Sequence, residues 1–132
     1  MFSLMKKYSF HIYIIILLVS CKKDTNSVKE ALFHDFYNSK SNKILLDVRT
    51  PEEYEESRAL ESNNLNFYDK NFEVEILKNL KKSHIYIYCR SGRRSEIAVK
   101  YLNENGYSNV FNIQSGIIGI DPKFLDSSSL NN

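Results

Sequence analysis

The chain has no tryptophan, only two prolines, four glycines and two cysteines in 132 residues. So little glycine and proline excludes collagen-like and low-complexity architectures, and two cysteines cannot staple a disulfide-dense scaffold. A long apolar run is missing as well: crossing a membrane takes about 20 apolar residues, and the stretch from Ile12 to Val19 falls short. Charge of one sign is absent from the body of the chain. Lys6 and Lys7 precede that stretch, and from Cys21 onward sixteen basic side chains face sixteen acidic ones. Non-specific nucleic-acid binding needs a basic stripe, so no nucleic-acid partner is expected; the cations cluster only at Arg90, Arg93 and Arg94. What is present is 42% apolar residues, with nine tyrosines and eight phenylalanines. That suits one folded domain.

Residues 1–20 read as a short export signal: two lysines, an apolar core through Ile12, Ile14, Ile15, Ile16, Leu17 and Leu18, then small residues. Leu18-Val19-Ser20-Cys21 resembles the lipobox of bacterial lipoprotein precursors. The resemblance implies lipidation of the Cys21 sulfur, cleavage before it, a polar tether over 21–27, and a membrane-anchored protein of the cell envelope facing the periplasm. A retained anchor helix is the alternative, and it too tethers the domain to a lipid membrane. With Cys21 lipidated, Cys89 is the one thiol left, and a lone thiol in an oxidising compartment is either buried or used.

Apolar spacing of three and four through Val28, Ala31, Leu32 and Phe36 predicts a helix over about 28–38. Ile44, Leu45, Leu46 and Val48 suit a buried strand. Thr50-Pro51-Glu52-Glu53 has the capping hydroxyl, first-turn proline and carboxylates of a helix start, for a helix reaching about Glu56. A brief strand is expected at Asn64 to Phe67, a helix over 71–81, and the clearest strand at Ile85 to Tyr88. A helix through Ile97, Ala98, Tyr101 and Leu102 stops at Asn105-Gly106. A strand at Val110 to Ile113 and a turn or short helix around Gly116 to Ile120 follow. Strands alternating with helices predict an α/β fold with an open parallel sheet and helices on both faces. The domain is expected over 28–122, with a tail over 123–132.

Cys89-Arg90-Ser91-Gly92-Arg93-Arg94-Ser95 joins the clearest strand to a helix, where ligands of open α/β sheets bind. A sulfur at that strand end can be encircled by backbone N–H groups, with Gly92 permitting the turn. The helix dipole and three arginines favour the thiolate; a shift of three pKa units corresponds to roughly 4 kcal/mol. A buried structural cysteine followed by a solvated basic loop is the plainer alternative, yet such a cysteine has no need of three crowded arginines.

Ile44-Leu45-Leu46-Asp47-Val48-Arg49-Thr50-Pro51-Glu52-Glu53-Tyr54, followed by the cysteine loop and then by Ala98, Leu102, Gly106-Tyr107, Val110, Asn112 and Gly116-Ile117-Ile118, resembles a single-domain rhodanese. The resemblance implies a sulfurtransferase that needs no cofactor or metal. Cys89 would be the nucleophile and sulfur carrier, and the amides of Arg90, Ser91, Gly92, Arg93, Arg94 and Ser95 would cradle the persulfide. Arg90 and Arg94 would hold an anionic donor, thiosulfate or a persulfide, with Arg93 facing solvent. Acceptors would be cyanide, a small thiol or a protein thiol. Asp47 and Arg49 resemble the family's structural pair beside the site. The sequence departs from the family at Ser57-Arg58-Ala59-Leu60-Glu61-Ser62, where rhodaneses often carry a Gly-His-Ile-x-Gly-Ala-like stretch: Arg58 takes the histidine position and both glycines are lost.

Rival functions are weaker. A phosphatase loop of the C-x5-R type needs arginine six places after the nucleophile, and Ser95 stands there. The alternative is a non-catalytic binding module on the same fold; members of the resembled family of that kind frequently lack the cysteine, which this chain keeps. Thiol exchange lacks a CxxC pair, and His34, His84 and Cys89 lack the spacing of metal ligands.

Overall fold

The computed structural model describes residues 28–78, 80 and 83–126. The expected export signal over 1–20, Cys21 with its expected tether, and residues 127–132 lie outside them. In chain order the elements are β1 Lys29–Ala31, α1 Phe33–Asn38, β2 Lys43–Asp47, α2 Pro51–Glu56, β3 Arg58–Ala59, β4 Ser62–Asn64, α3 Phe72–Lys78, β5 His84–Tyr88, α4 Arg93–Glu104 and β6 Val110–Ile113. Single 3₁₀ turns at Ile117–Gly119 and Pro122–Phe124 lead into β7 Leu125–Asp126. Five strands form a wholly parallel sheet in the order β1-β6-β5-β2-β4. The expected α/β class and parallel sheet are present.

The central strand β5 is buried from Ile85 to Tyr88, as expected of a β-branched and aromatic run covered on both faces. Alternation splits it between two cores. Ile85 and Ile87 join Leu46, Val48, Ile76, Val99 and Leu102 beneath α3 and α4. Tyr86 and Tyr88 join Leu45, Phe33, Phe36 and Ile113 beneath α1. Helices thus cover both faces, and the C-terminal ends of β2 and β5 emerge side by side, with Asp47 opposite Tyr88.

Three local expectations need correction. Residues 29–31 form an edge strand paired with β6, not the first turns of a helix. The spacing of Val28, Ala31 and Leu32 fits either element over so short a stretch, and the open edge of β6 supplies pairing that the isolated segment could not reveal. The helix begins only at Phe33, where the Leu32 amide donates to the Asp35 carboxylate at 2.7 Å. The brief strand expected at 64–67 lies instead at Ser62–Asn64, on the sheet edge; the Asn64 side chain is occupied in donating to the carbonyls of Asp47 and Arg49, each at 3.0 Å. The tail expected from residue 123 includes part of the fold. Phe124 stacks on Tyr37 with ring centroids 4.1 Å apart, and β7 pairs antiparallel with β3.

The 57–62 segment, which departs from the resembled pattern, turns between β3 and β4 at Leu60 and Glu61. Glu61 adopts φ +64° and is the only non-glycine residue in that region among the described residues. It stands where the family pattern has its second glycine. A left-handed conformation costs a side-chain-bearing residue roughly 1–2 kcal/mol, which the buried Ala59 and the β3–β7 pairing offset.

Candidate active site

Cys89 is the residue at which β5 ends, and the loop behind it turns at once into α4. Gly92, at φ +86°, is the residue before the helix and makes that reversal possible. The loop is clasped from behind by the turn after β6: the Ile117 amide donates to the Cys89 carbonyl at 2.9 Å and the Ile118 amide to the Arg90 carbonyl at 3.3 Å. The backbones lie so close that only glycine fits at two points. A Cβ on Gly92 would sit 2.3 Å from the Gln114 oxygen, and one on Gly116 would sit 2.2 Å from the Arg90 oxygen and 2.5 Å from the Ser91 nitrogen. Gly116 is therefore part of the site's construction.

The sulfur lies at the base of this loop with 1% of the residue exposed. Burial pushes the thiol's pKa up. Hydrogen bonds from the Ser95 amide and hydroxyl, and from the amides of Ser91 and Arg94, outweigh it and hold the thiol below its ordinary value. Of the six amides expected to face the sulfur, those of Ser91, Arg94 and Ser95 are the ones that act on it. The leading contributions are amides and a hydroxyl, whereas the sequence had pointed equally to guanidinium charge. The Ser95 hydroxyl lies 3.6 Å from Sγ and 3.0 Å from the Gly92 carbonyl; its single proton serves one of them at a time.

The three loop arginines are not equivalent. Arg90 and Arg93 project from the surface. Arg94 donates to both carboxylate oxygens of Glu53, at 2.8 and 2.9 Å, and the Tyr68 ring lies 5.5 Å from its guanidinium carbon. Glu53, read from the sequence only as a helix-start carboxylate, is held by Arg94 at a pKa of about 2. Neither Glu53 nor Tyr68 could be assigned to the site from sequence, because their relation to Arg94 is spatial.

Asp47 and Arg49 are buried at 0% and 4% exposure. The Arg49 Nε and a terminal nitrogen meet the Asp47 carboxylate at 2.6–3.0 Å, and that nitrogen also donates to the Ser57 carbonyl at 2.6 Å. The pair staples the end of β2 to the turn after α2. Its role is construction rather than contact with the sulfur. Arg58 faces away into the β3–β7 ribbon, pairing with Asp126 at 2.7 Å and lying over Tyr54. Among the described residues no His, Cys, Asp and Glu side chains converge in a group able to hold a metal ion.

A family model for the rhodanese-like domain matches residues 31–121, most of the chain. The chain belongs to the rhodanese-like family. A sulfurtransferase of Allochromatium vinosum is 35% identical over 75 residues, covering 57% of this chain and 68% of that protein. A tRNA uridine(34) hydroxylase of Buchnera aphidicola is 32% identical over 100 residues, which cover 73% of this chain and 29% of the hydroxylase. The crystal structure of a rhodanese-like domain protein from Staphylococcus aureus has a TM-score of 0.59 at 24% identity, covering 73% of this chain and 90% of that one; it shows the shared fold. Within this rhodanese-like domain, Ser95 occupies the place where a C-x5-R phosphatase loop carries its arginine, and it is fully buried with its hydroxyl toward the sulfur.

Proposed function

We propose that the protein is a sulfurtransferase that carries a sulfane sulfur as a Cys89 persulfide. The observation that carries this reading is the set of inward amides at Ser91, Arg94 and Ser95 that favour negative charge at the Cys89 position. Such a ring holds an anion by oriented dipoles fixed before the reaction begins. It serves the thiolate and, equally, the terminal sulfur of the persulfide.

In the first half-reaction the Cys89 thiolate attacks the outer sulfur of the donor. A bond forms between Sγ and that sulfur, the donor's sulfur–sulfur bond breaks, and its electron pair leaves with sulfite from thiosulfate or with a thiolate from a persulfide. In the second, cyanide or an acceptor thiolate attacks the terminal sulfur and departs as thiocyanate or a new persulfide, returning the Cys89 thiolate. Charge balances in each step and no proton moves, so no general base is needed. Exposure of only 1% at Cys89 favours a donor that presents a single sulfur end-on.

We infer further that Cys21 is a lipid-bearing residue that tethers the domain to a membrane of the bacterial envelope, probed by metabolic labelling with a fatty-acid analogue and by its loss in Cys21→Ala. The catalytic reading is tested by thiocyanate production from thiosulfate and cyanide. The wild-type chain should turn over and Cys89→Ser should give none while keeping its melting transition. Equal rates in the two proteins would remove Cys89 from the chemistry, and a folded wild type that never turns over or gains sulfur would favour a non-catalytic binding module.

A further inference from the structure

Resting on the sulfurtransferase reading, we propose that Glu53 determines donor preference: by clamping Arg94 it withdraws that cation from donor binding and so disfavours dianionic thiosulfate relative to monoanionic persulfides. The clamp is complete in two directions. Both carboxylate oxygens of Glu53 accept from the Arg94 guanidinium, at 2.8 and 2.9 Å, while the Tyr68 ring lies near the guanidinium at 5.5 Å. The Arg94 side chain is left 16% exposed.

The carboxylate is itself pinned. The Thr50 amide donates to Glu53 Oε2 at 3.0 Å, and the Glu53 amide donates back to the Thr50 hydroxyl at 3.3 Å. This reciprocal capping box, with Pro51 behind it in the first turn, leaves Glu53 unable to follow a guanidinium that swings toward a donor. Releasing Arg94 would also strand a carboxylate that is only 28% exposed, at a cost that a weakly bound anion does not repay.

The consequence is electrostatic. Arg94 directly precedes Ser95, whose hydroxyl lies 3.6 Å from Sγ, and its charge interacts with that of the sulfur, so Glu53 cancels a cation beside the reacting centre. Two exposed arginines, Arg90 and Arg93, remain for the incoming donor. A thiolate and thiosulfate bring three negative charges together, whereas a thiolate and a monoanionic persulfide bring two. Removing one compensating cation therefore penalises thiosulfate more.

The test uses the full chain with thiosulfate and with the persulfide of 2-mercaptoethanol as donors. Glu53→Gln keeps an acceptor for Arg94 and removes the charge. It should lower KM for thiosulfate about fivefold, the scale of one partly exposed charge pair, with a smaller change for the persulfide. Added salt should erase the difference. In Glu53→Gln/Arg94→Gln the gain should vanish. Arg94→Gln alone should lower kcat by loosening the loop and leave KM for thiosulfate near wild type, whereas Arg90→Gln and Arg93→Gln should raise it. An unchanged or higher thiosulfate KM in folded Glu53→Gln would overturn the proposal, and so would a rise in Arg94→Gln matching those of the other two arginines. The pH dependence of Cys89 alkylation separates this from failure of the sulfurtransferase reading: in Glu53→Gln the thiolate should form at lower pH whether or not any donor reacts, and an unmoved titration counts against the clamp.

Discussion

Replacing Gly116 by alanine should perturb the sulfur without changing the sequence of the cysteine loop. The new Cβ would lie 2.2 Å from the Arg90 oxygen, 2.4 Å from its carbonyl carbon and 2.5 Å from the Ser91 nitrogen, all inside the 3.0 Å below which real contacts essentially do not occur. These are backbone atoms, so the loop itself must shift. Gly116 also holds φ +58° and ψ −171°, a region almost reserved to glycine, which costs about 1–3 kcal/mol for another residue. Together with overpacking of about 1–3 kcal/mol, the expected destabilisation is about 2–6 kcal/mol, or a fall in Tm of at least ~8 °C in a domain of this size. The Ser91 amide is one of the donors that lower the Cys89 pKa, so its displacement should move thiolate formation to higher pH. Gly106→Ala is the control. That residue has φ +86° with nothing within 4 Å of its would-be Cβ, so it should show the backbone cost of about 1 kcal/mol and no change at the sulfur. The assay is thiolate absorbance against pH, paired with thermal unfolding. Equal thiolate titrations in Gly116→Ala and wild type would refute the claim that the clasp behind the loop positions the amides.

Asp47→Asn should destabilise by about 3–5 kcal/mol in denaturant titration, because it leaves Arg49 buried without its counter-charge. Glu61→Gly should instead stabilise by about 0.5–1 kcal/mol, the relief of φ +64° less the entropy of a glycine in the unfolded chain; a lower Tm would contradict it. The Glu53 carboxyl is depressed from 4.5 to about 2 by Arg94, so its contribution is fully present above pH 4.5 and is lost as pH falls toward 2. The stability gap between wild type and Glu53→Gln should accordingly be widest above pH 4.5 and close as pH falls through that window, and a gap independent of pH would argue against the ion pair.

Much of this architecture could be read from the chain because local chemistry and tertiary demand agreed. Thr50 and Pro51 start a helix in the structure as their capping pattern requires, and the β-branched and aromatic run before Cys89 is the central strand. The cysteine loop was legible for the same reason, since a thiol, a glycine and a helix start fall within a few residues. What stayed hidden depends on partners distant in sequence. Lys29–Ala31 is a strand because β6 has a free edge, and Leu125–Asp126 belongs to the fold because Arg58–Ala59 receives it. The family resemblance implies a donor-binding role for Arg94; the carboxylate that occupies it is 41 residues away in the chain, a pairing that no local pattern reveals.

The central claim is that Cys89, held toward the anionic form by its amide ring, carries the transferred sulfur. Intact-mass measurement of the full chain after exposure to thiosulfate tests it most directly. The expected result is a gain of one sulfur atom, located at Cys89, reversed by cyanide and absent from Cys89→Ser. A wild-type chain whose mass never changes, or an equal gain in Cys89→Ser, would contradict it.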